Sequence, residues 1–320
     1  METVTRIIRA HSLSQPQRIV VLGGSGFLGR SLTQSLAQAG HSVIAASRRP
    51  LLPTVENLTC VKVDFADTTA LEEIVCSADT VIQLVNGINP STGNTQLIQD
   101  IEQEVQPQIR FLELCVASKV KRVIFASSGG AIYGNASESP TSERAIAMPR
   151  NSYGIVKLMI EKYMELFRIE HGMDFVTLRL SNPYGPGQNF RASQGFLVPS
   201  LLGKIQNGEA ITVFGDGNDS RDYVYIDDVV RAFLSAVNLE GSVGHLINIG
   251  GGAHHTVNEL IEVIEDLLGR PVARNHVSRR GSDIPRSFLD IAQAKTCLAW
   301  QPLVSLREGL KQTIESMSLV

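Results

Sequence analysis

The sequence predicts an α/β fold: a doubly wound parallel sheet with helices on both faces, followed by a smaller C-terminal α/β lobe. Three observations predict it. Short β-branched runs alternate with longer segments of helical periodicity from Arg18 to Leu180. The runs are apolar throughout rather than alternating, as in strands buried on both faces. A glycine cluster, GGSGFLG (23–29), closes the first run where the first helical segment opens.

The elements follow in order. RIVVLGG (18–24) is a buried strand. Phe27, Leu28, Leu32, Leu36 and Ala39 recur at helical spacing, and Gly40 stands where a left-handed residue ends a helix. SVIAAS (42–47) and LTCVKVD (58–64) are the second and third strands, TALEEIV (69–75) a helix and DTVIQLV (79–85) the fourth strand. A long helix over 95–118, a strand KRVIFASS (121–128), a long helix over 152–171 and a strand DFVTLRL (174–180) complete the repeated β-α-β pattern. After Leu180 the rhythm changes. NPYGPGQNFRASQG (182–195) and FGDGNDSRDYVY (214–225) flank a helix over 196–207. A helix from about Asp227, a core strand GHLINIG (244–250), a helix Val257–Leu268 and a final helix from about Leu306 follow. The expected organisation is a flexible tail over 1–17, a first domain over 18–180 and a second lobe over 181–320, with segments near 223–250 returning to the first sheet.

Composition narrows the function. With 29 Lys plus Arg against 32 Asp plus Glu, the formal charge is −3, and no long block of one sign occurs. A protein that binds nucleic acid or a membrane surface by charge alone is excluded. Cys60, Cys76, Cys115 and Cys297 form no CxxC pair, so neither a zinc ribbon nor a dithiol redox site is expected. No apolar run reaches the ~18 residues of a membrane span, and the N-terminus lacks a secretory h-region. A reduced, cytoplasmic location follows. The adjacent His254 and His255 have no ligand spacing around them, so no metal is expected. Asp227 and Asp228 read as a helix N-cap, and Trp300 as packing.

Gly23, Gly26 and Gly29 lie between a strand and a helix, with Phe27 and Leu28 among them. Glycines there let the backbone approach a pyrophosphate, which the helix N-terminus favours. This is the Rossmann-type setting for a dinucleotide. An acid at the end of the second strand would bind the ribose hydroxyls of NAD; here Ser47, Arg48 and Arg49 stand instead. The expected cofactor is therefore NAD(P), with NADP favoured over NAD, because two guanidiniums face the position of a 2′-phosphate. Asp64, with Phe65 beside it, ends the third strand, where it can accept from the adenine amino group.

Tyr153 and Lys157 form YxxxK on the long helix, one turn apart on one face, and Ser128 ends the preceding strand. A tyrosine with a pKa of about 10 needs a nearby cation to act as a base. Lys157 supplies it, and Ser128 is placed to hydrogen-bond a hydroxyl under oxidation.

With these strings in place the chain resembles the extended short-chain dehydrogenases/reductases, in the branch of nucleotide-sugar epimerases, dehydratases and reductases. The resemblance runs from Arg18 to the C-terminus through GGSGFLG, IFASSGGAIYG (124–134), SYGIVK (152–157), LRLSNPYGPGQ (178–188), RDYVYIDDV (221–229) and the Arg279–Arg280 loop. It implies a C-terminal substrate-binding lobe and a nucleotide-diphosphate sugar as substrate. Asn182, Arg221 and Arg280 match residues that contact its diphosphate, and Ser128 touches the sugar. Family dehydratases carry an Asp–Glu pair after the strand-end Ser or Thr; here Gly129, Gly130 and Ala131 follow Ser128. That leaves a 4-epimerase working through a transient 4-keto sugar, or an NADPH-dependent reductase of 4-keto sugars. A third alternative is a regulator that binds NADP without turnover. The chain departs from the epimerase pattern in residues 86–94, which hold no lysine, and in a loop one residue longer after Ser128.

The resemblance also implies a homodimer built on a four-helix bundle. Leu97, Ile101, Val105, Ile109, Leu112 and Val116 form a stripe, with Ile98, Phe111 and Leu114 outside it; Ile155, Leu158, Met159, Met164, Leu166 and Phe167 overfill the second helix. Symmetric pairing of both helices would bury the surplus.

Overall fold

A computed structural model describes residues 15–52, 55–88, 94–190, 196–241, 244–279 and 284–317. Arg280 and most of the 86–94 loop lie outside the described residues, as do residues 1–14 of the tail expected over 1–17; Gln17 at its end is bonded to His41, Val237 and Thr80.

Seven parallel strands form the central sheet: β1 (Arg18–Leu22), β2 (Ser42–Ser47), β3 (Leu58–Lys62), β4 (Thr80–Gln83), β5 (Arg122–Ser128), β6 (Asp174–Leu180) and β10 (His245–Ile249). Their order is β10-β6-β5-β4-β1-β2-β3. The order reverses between β1 and β4, and it is at such a switch point that the strand ends open a crevice. Strand alternation divides the core in two. Ile19 and Val21 pack with Leu32 and Leu36 of α1 (Phe27–Gln38) and with Val229 and Phe233 of α8 (Ile226–Val237). Val20 and Leu22 pack with Leu71 of α2 (Thr68–Val75) and with Phe111 and Leu112 of α4 (Gln106–Ala117). A single turn, α5 (Gly129–Ile132), follows β5, and Ile160 and Met164 of α6 (Ser152–His171) complete that second layer.

Local chemistry accounts for the helix ends. Gly40 has φ +94° after α1. Asp67 accepts from Ala70 N at 3.1 Å and caps α2. Asn151 caps α6, whose far end closes on the left-handed Gly172. Thr256 and Glu259 form a reciprocal capping box on α9 (Val257–Leu268).

The helix expected over 95–118 is divided. It comprises α3 (Leu97–Asp100), a π-helical segment (Ile101–Val105) and α4. The wide turns advance the chain by more residues than an α-turn does, so a stripe counted through them drifts to another face. Phe111 and Leu114, expected as surplus, are buried within the chain, whereas Leu97, Ile98 and Ile101 are exposed.

Beyond β6 the chain builds β7 (Asn182–Tyr184), α7 (Leu197–Gln206), β8 (Ile211–Phe214) and β9 (Ser220–Tyr225) before α8. β9 takes β7, β11 (His254–Thr256) and β13 (Arg286–Ser287) as partners in a second sheet, and β8 pairs with β12 (Arg274–Val277). These strands are two to six residues long, and none of them is among the strands expected from the sequence. The final helices are α10 (Ala292–Leu298) and α11 (Leu306–Ser316).

Asp227 and Asp228 are not the N-cap of α8: Tyr225 holds that position, and both acids sit in the first turn. Asp228 instead turns inward. Its carboxylate accepts from the backbone N–H groups of Leu303 and Val304 and pairs with Arg231. Its carbonyl accepts the Trp300 indole N–H at 2.9 Å. The part-buried backbone donors of Leu303 and Val304 find their acceptor in the carboxylate. Trp300 is packing, 2% exposed.

Candidate active site

The cleft opens at the C-terminal ends of β1, β4 and β5. It encloses about 390 Å3 and is lined by Gly23, Gly26, Phe27, Leu28, Gly29, Leu84, Asn86, Ser128, Tyr153 and Lys157, with Pro183, Gln188 and Phe196 on the far side.

Its floor is the glycine turn. Gly23 has φ +86°, a backbone conformation other residues adopt at a cost. The N–H groups of Gly23 and Gly24 donate to Ala46 O at 2.9 and 3.1 Å, tying the turn to β2. Gly26 is the N-cap of α1 and carries no side chain to satisfy the helix's first N–H groups. A Cβ at Gly29 would press on the Gly23 carbonyl oxygen and stand 2.7 Å from Gly24 Cα. The turn is therefore a cradle of bare backbone with free donors, and the pyrophosphate of a dinucleotide fits it. Ser47 Oγ, at the end of β2, is buried without a hydrogen-bond partner, as a ribose-facing hydroxyl would be. Gly29→Ala is expected to lower stability by about 1–3 kcal/mol and to weaken dinucleotide binding severely. Melting curves with and without NAD check both.

Arg48 and Arg49 are exposed just beyond β2. The end of β3 lies beside them, since Ser47 is in register with Lys62. Asp64 is exposed, its Oδ1 accepting from Ala66 N at 3.0 Å, and Phe65 packs on Phe111 with centroids 5.6 Å apart. Ser47, Arg48, Arg49, Asp64 and Phe65 thus form a second group at the strand ends, outside the lining of the cleft.

Ser128 ends β5 and is 9% exposed. Its hydroxyl hydrogen-bonds the Tyr153 phenol. Lys157 donates to Ala126 O at 3.0 Å, and its ammonium lies 4.6 Å from the Phe125 ring centroid and 5.9 Å from that of Tyr153. Burial disfavours both charged forms. The phenol is pushed up to about 12, with Ser128 working the other way and Glu104 reinforcing the rise. The ammonium is pushed down to about 8, opposed by Glu104 and Glu161.

Two carboxylates that sequence reasoning missed therefore act on this pair. Glu161 is one turn from Lys157 on α6, 7% exposed, and takes a bidentate contact from Arg179 at 3.0 and 2.6 Å. Ser127 donates to it at 2.6 Å. Glu104 lies in the π-helical segment and accepts the Gly87 N–H. A charged residue within an apolar periodicity was the available signal for Glu161. For Glu104 there was none, because the π-turns set its direction.

Of the expected diphosphate contacts, Arg280 lies outside the described residues, and Asn182 and Arg221 are not in the cleft lining, although Ser181 and Pro183 on either side of Asn182 are. Asn182 donates to Asp222 O at 2.9 Å and sits on β7 opposite Tyr223 of β9. Arg221 is half-buried on β9 and donates to its neighbour's carbonyl, Ser220 O, at 2.9 Å. Arg279 pairs with Asp219 at 2.9 Å. Among the described residues no cluster of three metal-ligating side chains occurs, and no helix is long and apolar enough to cross a membrane.

The model of the NAD dependent epimerase/dehydratase family matches residues 19–250. The chain is 34% identical to the UDP-glucose 4-epimerase of Thermotoga maritima, solved with UDP-glucose, covering 94% of this chain and 98% of that one with a TM-score of 0.86. MoeE5, solved with UDP-glucuronic acid and NAD, is 30% identical over 94% of this chain and 98% of its own, with a TM-score of 0.85. A dTDP-4-dehydro-6-deoxyglucose reductase of Escherichia coli is 31% identical, over 93% of this chain and 97% of its own.

Proposed function

Since the chain belongs to the NAD dependent epimerase/dehydratase family, within the extended short-chain dehydrogenases/reductases, we propose that it is a nucleotide-sugar 4-epimerase. The observation that carries this reading is the Ser128–Tyr153–Lys157 cluster at the glycine cleft, followed by Gly129, Gly130 and Ala131 rather than by acids. Bound NAD(P) supplies a reversible hydride acceptor. Tyr153 Oη takes the proton of the sugar C4 hydroxyl as that carbon is oxidised, and returns one when the 4-keto sugar is reduced on its other face. Ser128 hydrogen-bonds the same oxygen. Lys157 holds positive charge beside the phenol. Asn182, Arg221 and Arg280 engage the diphosphate, where guanidiniums make charge-assisted bonds.

The test is incubation of the purified protein with a panel of nucleotide sugars and 4-keto nucleotide sugars, with and without NADPH. Products are read by NMR and mass spectrometry. Interconversion of C4 epimers without net cofactor use supports the epimerase. Stoichiometric NADPH consumption with a 4-keto sugar supports the reductase, the second reading, which Arg48 and Arg49 and the 31% identity to the Escherichia coli reductase favour. Cofactor binding without turnover of any sugar indicates a regulator.

The cofactor reading is NADP over NAD. It rests on the two exposed guanidiniums beyond β2 and on the absence of an acid at Ser47. Replacing Arg48 and Arg49 with alanine is expected to weaken NADP far more than NAD, each charge-assisted phosphate bond contributing roughly 1.5–3 kcal/mol. Equal affinities in wild-type calorimetry would overturn the preference.

The assembly reading is a homodimer. Leu97, Ile98 and Ile101 on the first long helix and Ile155, Leu166 and Ile169 on α6 are all at least 40% exposed, which a helix pair burying its surplus explains. Sedimentation at micromolar concentration is expected to give twice the 34.8 kDa of one chain. A single-chain mass refutes it. The four unpaired cysteines go with a cytoplasmic location.

A further inference from the structure

Two polar ties, one just before the π-helical segment Ile101–Val105 and one within it, lead to the candidate active site. At the N-terminal side of the segment, buried Asp100 accepts a hydrogen bond from Ser152 Oγ, which clamps α3 to the first turn of α6. One turn further along both helices come Glu104 and Lys157, which interact electrostatically. Glu104 also reaches across to the loop after β4, where its Oε1 accepts the Gly87 N–H and fills the space a side chain at 87 would occupy. Leu84 and Asn86 of that loop line the cleft. One carboxylate therefore ties the loop after β4 to the helix layer and places a negative charge on the Tyr153–Lys157 pair.

We propose that Glu104 is a positioning residue for that pair: its charge keeps the buried Lys157 ammonium protonated, and its bond to Gly87 keeps the β4 loop in place beside it. The proposal rests on the reading of Tyr153 and Lys157 as the proton-transferring pair. Other charged groups bear on the same place. Burial pushes the Glu104 carboxyl above its usual range; Lys157, the Gly87 N–H and Arg48 beyond β2 favour its ionisation, and Asp100 on α3 opposes it. On α6, Glu161 also supports the Lys157 cation, but its carboxylate is shared with Arg179 of β6 and Ser127 of β5. Ser128 of β5 favours the Tyr153 phenolate and Glu104 disfavours it. Glu104 is thus the carboxylate in this group that raises the proton affinity of both members of the pair.

The sign of its removal follows. Taking a negative charge from a coupled pair lowers both of its apparent pKa values. Glu104→Gln retains an acceptor for Gly87 N–H and loses only the charge. In that variant both limbs of the pH profile of kcat/KM are expected to move to lower pH by roughly one unit, the scale of a nearby charge. Glu104→Asp, which keeps the charge on a shorter arm, is expected to restore most of the profile. A second readout needs no turnover. Phenolate absorbance is titrated in the NAD-bound protein, with Tyr153→Phe subtracted to isolate the one tyrosine, in the wild type and in both Glu104 variants. The same downward shift is expected in Glu104→Gln. Unchanged titration in a folded Glu104→Gln overturns the proposal, as does an equal effect of Glu104→Gln and Glu104→Asp, which would mark a tether alone. If Glu104→Gln does not fold, a wild-type-like titration in Glu104→Ala, which also lacks the charge, gives the same refutation. Absence of turnover on every sugar, with the titration shift present, sinks the epimerase reading and leaves this one standing.

Discussion

A Tyr153→Phe protein is expected to bind cofactor as the wild type does and to turn substrate over about 10²–10⁴-fold more slowly, the usual worth of a positioned proton-transfer group. Only Oη is removed. The ring remains, and with it the packing beside the Lys157 ammonium, whose distance to the ring centroid is 5.9 Å. The size of the effect follows from the environment. In the cofactor-free fold the phenol is pushed up to about 12 by burial, so it ionises at neutral pH only when positive charge is brought to it. Lys157 is the resident cation, and burial brings it down to about 8. The ammonium is present below that pH and lost above it. Activity is therefore expected to fall as pH rises through about 8, and Lys157→Met should lose both rate and cofactor affinity at every pH. Product analysis and calorimetry on the two variants separate these effects. Wild-type turnover in Tyr153→Phe would move the base elsewhere.

Arg179→Met is expected to lower stability by about 3–5 kcal/mol, because it leaves the Glu161 carboxylate buried without its main partner. Arg179 and Glu161 are 4% and 7% exposed, so little water can replace the lost contact. The guanidinium also lies 4.7 Å from the Tyr133 ring centroid, and Tyr133 donates to Asn248 Oδ1 at 2.8 Å. Asn248 in turn draws together Thr141, Glu143 and Asp290. The loss thus extends from the candidate active site into the segment that leads to α6. The double variant Glu161→Leu/Arg179→Met removes both charges and is expected to recover a good part of the stability, though not the support of Lys157. Denaturant unfolding of the single and double variants measures the difference. A single variant as stable as the wild type would mean that Lys157 alone neutralises Glu161.

What the sequence determined by itself is local or periodic. The strands of the main sheet are apolar runs that can exist only between two layers of helices, so Ile19 through Leu22 announced both core faces. The glycine turn was legible because Gly23, Gly26 and Gly29 answer to backbone geometry within seven residues. Tyr153 and Lys157 share a helix face by spacing alone, and the helix that carries them runs over the same residues expected, Ser152–His171. Other features were decided only in the tertiary structure. The strands β7, β11 and β13 carry too few residues for a period, and the six residues of β9 form no apolar run; all four exist because partners distant in sequence supply their hydrogen bonds. Asp228 was read as a cap from its place before an apolar run, yet the N–H groups it satisfies belong to residues 303 and 304. With the π-helical segment in the helix, Phe111 and Leu114, counted outside the stripe, are buried, while Leu97 and Ile101 of the stripe are exposed. The same turns brought Glu104 to Gly87 and Lys157. A spacing rule assumes one helix pitch and one chain segment; a carboxylate's direction after a change of pitch, and the partner it meets, depend on the layers packed against it.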